Sequence, residues 1–78
     1  MEELKLKNVT STAQHVVVNL GPDAKGVTVL PREDITVTQE QFTGNVDIAG
    51  KIRLGILRPV PPVPSWAVGP VRSLGVSL

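Results

Sequence analysis

Apolar and polar residues alternate over Leu4-Lys5-Leu6-Lys7-Asn8-Val9, the period of a strand with one buried face. His15-Val16-Val17-Val18-Asn19-Leu20 is dense in β-branched residues and predicts a second strand. Val27-Thr28-Val29-Leu30 and Ile35-Thr36-Val37 predict a third and a fourth. Each is bounded by turn formers: Thr10-Ser11-Thr12, then Gly21 to Gly26, then Pro31-Arg32-Glu33-Asp34. Leu54 to Val60 reads as a closing strand. The expected core is Leu4, Leu6, Val17, Leu20, Val29, Ile35, Val37 and Ile56.

Between the fourth and fifth strands the pattern changes to helical signals. Thr38 and Gln41 have the spacing of a capping box, with Glu40 in the first turn where exposed backbone N–H groups favour an acid. Gly44 should end that turn. Asn45 can cap a second short helix whose inward residues would be Val46, Ala49 and Ile52. Gly50 weakens that helix by about 1 kcal/mol relative to Ala. Strands of this length joined by tight loops suit a mainly β fold: a small barrel or sandwich of five short strands with one or two helical turns.

Near Arg58 the composition shifts. Residues 59–78 carry prolines at 59, 61, 62, 64 and 70, a tryptophan, several Val and Leu, and one charge, Arg72. Dense proline disfavours helix and removes strand donors, so the backbone should run extended. Disordered tails are normally polar and charged, whereas this one is apolar and should cost free energy in water. The reading is a β-rich domain over 1–58 and an extended docking arm over 59–78 that lies on another protein. At polyproline rise the arm could reach about 60 Å. Its expected contacts are Arg58, Pro59, Pro61, Pro62, Pro64, Trp66, Val68, Val71, Leu74, Val76 and Leu78, with Trp66 the anchor. The same segment, had it folded back, would cover the domain's own core.

Seventy-eight residues allow one small domain, near the size where a lone core is barely sufficient and association often helps. Cysteine is absent and His15 is the sole histidine, which excludes disulfides and thiolate metal sites; no cofactor is expected. Net charge is +1, with basic residues scattered and only Phe42 and Trp66 aromatic. Nucleic-acid binders show a basic face with stacking aromatics, so no nucleic-acid partner is expected. Met1-Glu2-Glu3 opens no leader peptide, and no apolar run approaches twenty residues. The chain is therefore expected to be made in a cytoplasm and to bind no membrane.

Catalysis has no support. His15 lacks an oriented acid or nucleophile and reads as a surface histidine at a strand start. Glu33 and Asp34 are adjacent, so on an extended chain they point to opposite faces. Gly21 and Gly26 make no phosphate loop. Arg58-Pro59-Val60-Pro61-Pro62-Val63-Pro64 matches a basic residue followed by PxxP, the pattern polyproline helices present to aromatic grooves. That pattern offers a second reading, an adaptor for a polyproline-binding domain. A third is a small inhibitor of one soluble target.

The run from Leu4-Lys5-Leu6-Lys7-Asn8-Val9-Thr10 through Val27-Thr28-Val29-Leu30-Pro31-Arg32-Glu33 and Ile35-Thr36-Val37-Thr38 to Ala49-Gly50-Lys51-Ile52-Arg53-Leu54-Gly55-Ile56-Leu57 resembles small structural proteins of tailed bacteriophages. The resemblance implies a virion component: a capsid cement (decoration) protein, or an accessory protein of the neck or tail. It implies the major capsid protein or another virion structural protein as partner, many copies in the assembly, and localisation in the virion after synthesis in the host cytoplasm. It carries over no catalytic residue.

Overall fold

The computed structural model describes residues 2–19, 22 and 24–76. Its elements are β1 (Leu4–Asn8), β2 (Gln14–Asn19), β3 (Lys25–Val29), β4 (Asp34–Val37), α1 (Gln39–Phe42), α2 (Val46–Arg53), β5 (Leu57–Val60) and α3 (Ser65–Ser73). The five strands form two antiparallel sheets, β4-β1-β5 and β2-β3. With three helices among the described residues the fold is mixed α/β rather than mainly β.

The two sheets do not close into a barrel, and the strand edges show why. In β1, Asn8 exchanges backbone hydrogen bonds with the Arg32–Glu33 turn, while Val9 donates to Ile56 at 3.2 Å. Alternation along the antiparallel ladder then turns Lys5 and Lys7 toward β5 and Leu6 toward β4. Pro59 lies opposite Leu6, so its nitrogen faces away from β1. No ladder bond is lost, and a strand added outside β5 would find no donor at position 59. On β2 the outer edge is filled by side chains: Val17 donates its amide to Asp47 Oδ2 at 2.8 Å, and its carbonyl accepts from Asn45 Nδ2 at 2.8 Å. Closure would need both of those edges.

The core contains Leu4, Leu6, Val29 and Val37 as expected, joined by Val16, Val18, Phe42, Ile48, Ile52, Leu57, Ala67 and Val71. Ile35 and Ile56 pack against it half-buried. β2 is out of phase with expectation: Val16 and Val18 are inside, and Val17 is half-buried. Three consecutive valines carry no period-2 signal, and the docking of α2 on Val17 selects the phase. Leu20 lies outside the described residues.

Both helix caps form as the sequence indicates. Thr38 accepts from Gln41 N while Gln41 Oε1 accepts from Thr38 N, and Asn45 Oδ1 accepts from the amides of Asp47 and Ile48. The face of α2 is rotated, however. Ile48 and Ile52 are buried, whereas Val46 is 80% exposed. The i, i+4 pair of large β-branched residues takes the core side, and Val46 in the first turn is left in solvent.

The expected extended arm is the main correction. Residues 57–60 are strand β5, so the sheet runs across residue 58, and residues 65–73 form a helix. The buried stripe is Ala67 and Val71, flanked by half-buried Leu74; Ala67 supplies the i, i+4, i+7 spacing that Val and Leu alone do not. Pro70 lies inside the helix and cannot donate to the Trp66 carbonyl, a penalty of about 3 kcal/mol. Gly69 before it has no Cβ to meet the proline ring. Burial of Ala67, Val71 and much of Trp66 offsets the rest, at about 25 cal/mol per Å² of apolar surface removed from water.

Candidate docking groove

The chain Thr43-Gly44-Asn45 between α1 and α2 lies beside α3, and an apolar groove of about 290 Å³ runs between them. Phe42 and Trp66 form its wall, set edge to face with ring centroids 5.8 Å apart. Val46, Ala49, Pro70 and Leu74 complete its apolar lining, and no charged residue contributes. Such an edge-to-face pair adds about 0.5–1.5 kcal/mol beyond area burial. Trp66 Nε1 donates to the Glu2 carbonyl at 3.2 Å, which fixes the ring without using a group from the groove.

The groove is held open from below by polar contacts at the start of α2. Asn45, 2% exposed, bonds to Val17 O and Gln41 O besides capping the helix. Asp47 accepts from Val17 N and from Lys51 Nζ at 2.7 Å. Partial burial by itself would raise the Asp47 carboxyl. The Lys51 hydrogen bond, the Val17 amide and the charges of Lys51 and His15 together outweigh it, and its pKa lies below the ordinary aspartate value. The first turn of α2 is thereby clamped to β2, and Val46 is presented outward as a consequence.

The residues expected to meet a partner are dispersed. Trp66 and Leu74 are half-buried in the groove, and Val71 is fully buried in the core. Arg58 and Val76 line a separate cleft of about 470 Å³ with Val9, Arg53 and Leu57. Val68 is half-buried; Leu78 lies outside the described residues. Pro59 and Pro64 are buried while Pro61 and Pro62 are exposed, so a groove reading the PxxP segment would meet Arg58, Pro61 and Pro62. Phe42 and Val46 were absent from the expected contacts. Asn45 as a cap could have indicated Val46, since a first-turn residue is often outside the buried stripe.

His15 is exposed, and its ring covers Gly26 across the β2-β3 pair so closely that a Cβ at 26 would have to displace the ring. Among the described residues no three His, Cys, Asp or Glu side chains converge as metal ligands, and no helix is long and apolar enough to cross a membrane. Comparison of the chain with protein-family models, with curated proteins and with solved structures gave no match.

Proposed function

We propose that this chain is a structural protein that docks onto a larger protein shell, as a capsid decoration protein does, and that the Phe42–Trp66 groove with Val46 at its rim receives an apolar side chain of that shell. The carrying observation is the uncharged groove with a large aliphatic residue 80% exposed beside it. Clustered apolar surface flanked by a rigid aromatic is the arrangement of an interface hot spot. A domain this small also gains by binding only the assembled state. The resemblance of the sequence runs between Leu4 and Leu57 to small structural proteins of tailed bacteriophages is the ground for taking the shell to be a virion and the chain to be present in many copies.

A photo-crosslinking residue at position 46, compared with one at exposed position 28 on β3, tests this in cells that make the protein. The expected product is an adduct from position 46 with one shell protein, recovered with sedimenting particles. Equal labelling from both positions would overturn the reading. So would a one-to-one adduct with a small soluble protein, which is the outcome an inhibitor predicts. Val46→Arg should lower particle incorporation at least tenfold and leave the melting temperature unchanged.

A further inference from the structure

Of the sheet edges, β2's is filled by Asn45 and Asp47, and β5's presents Pro59 without a donor. β4 is different. Ile35 pairs with Leu6 in the ladder with β1, so the N–H and C=O groups of Asp34 and Thr36 point away from the sheet. Among the described residues no strand lies beyond β4 and no side chain bonds to those groups. Asp34 and Thr36 are exposed, and Ile35 between them is half-buried. An unpaired edge of this kind is a template for another strand.

We propose that β4 pairs with β4 of a second copy of this chain, antiparallel about a two-fold axis at Ile35, to make one continuous six-stranded sheet. The edge is complementary to itself. With Ile35 opposite Ile35 of the partner subunit, Asp34 of each copy faces Thr36 of the other, and their four outward N–H and four C=O groups come to four hydrogen bonds between the chains. On the exposed face each Asp34 carboxylate meets a Thr36 hydroxyl that can donate to it. On the inner face the two Ile35 side chains cover each other's uncovered half. Lys7, opposite Asp34 on β1, moderates the repulsion between the two carboxylates. This isologous arrangement is the commonest symmetry of small oligomers. The other open edge, β3, suits it less. Self-pairing there sets Gly26 against Thr28, with no side chain to match, next to Lys25 and the irregular register between Val17 and Asn19. Lysine and bulges of this kind blunt an edge. The pairing goes beyond groove docking and uses a different face, so either can fail alone.

The test is sedimentation equilibrium of the purified full chain from about 10 μM to 1 mM, the range a small interface requires, with amide exchange at both ends of the range. Wild type should pass from monomer to dimer, with at least tenfold slower exchange of the Asp34 and Thr36 amides in the concentrated sample. Thr36→Pro should remain monomeric with an unchanged melting temperature, because the Thr36 N–H serves no bond within one chain. Thr28→Pro, which removes an outward donor from β3, should dimerise as wild type does. A wild-type chain monomeric throughout, or a dimer that leaves the Asp34 and Thr36 amides unprotected, would overturn the proposal, and the exchange result decides it even if Thr36→Pro does not fold.

Discussion

Asn8 reaches across 21 positions to donate from Nδ2 to the Val29 carbonyl at 2.9 Å, and this bond ties the three-stranded sheet to the two-stranded one. The same amide donates to Thr12 O at 2.9 Å, while its oxygen accepts from the Thr10 amide at 2.9 Å and the Thr10 hydroxyl at 2.6 Å. The side chain is fully buried and every polar atom is used. Asparagine is the residue that can donate twice and accept twice here.

Asn8→Asp should therefore be severely destabilising although it is nearly isosteric. The carboxylate would face the Thr12 and Val29 carbonyls with nothing to donate, in a site closed to water. A loss of about 3 kcal/mol or more is expected at pH 7, from the general cost of leaving buried groups unpaired or a charge uncompensated. Urea denaturation measures it. A loss below about 1 kcal/mol would mean the two sheets are held together elsewhere.

Asp47 gives the fold a predictable acid limb. Its pKa is depressed in the folded state, so the stability it contributes is present above the unfolded aspartate pKa of about 3.9 and lost as pH falls through the lower folded value. Asp47→Asn still accepts from Val17 but loses the Lys51 pair. The variant should be less stable than wild type by about 0.5–1 kcal/mol at pH 7, modest because the pair is partly solvated. The two should converge as pH falls through the depressed folded pKa of Asp47. Thermal melts of both proteins across pH 2–7 check this, and a constant gap down to pH 2 would refute the assignment.

Trp66 now belongs to the domain's own packing as well as to the groove. Trp66→Phe keeps an aromatic edge near Phe42 and gives up the bond to Glu2, which should cost about 0.5–1.5 kcal/mol. Trp66→Ala should cost about 2–3 kcal/mol, less than the ~3–5 of a fully buried aromatic. Chemical denaturation of the isolated protein distinguishes this from a free arm, for which neither change would alter stability.

Local signals made β1, β3, β4 and both helix caps legible. Leu4-Lys5-Leu6-Lys7 alternates, and Thr38–Gln41 and Asn45 satisfy amides within one turn, so their information lies within a few residues. The phase of β2 and of α2 was not legible, because Val16-Val17-Val18 has no alternation and the choice rests on Asn45 and Asp47 meeting Val17 from about 30 positions away. The tail misled for a related reason. Pro70 and Gly69 argue correctly against a helix in isolation, and only tertiary burial of Ala67 and Val71 overrides them. Of the groove, Trp66 was legible as an anchor, while Phe42 opposite it was brought there by the fold.

Pro59 supplies a final test, since its placement makes proline an edge guard rather than a breaker. The ring is buried beside Leu6 while the missing N–H faces outward from the sheet. Pro59→Val fills similar space, keeps every bond to β1 and restores an outward donor on β5. Stability should stay within about 1 kcal/mol of wild type, because the loss of proline's restraint on the unfolded chain is the main change. Association should rise, because β5 would become an edge that can accept a strand. Light scattering over hours at raised concentration, beside a urea melt, reads both quantities. A variant as free of aggregation as wild type would show that something other than the absent N–H protects β5.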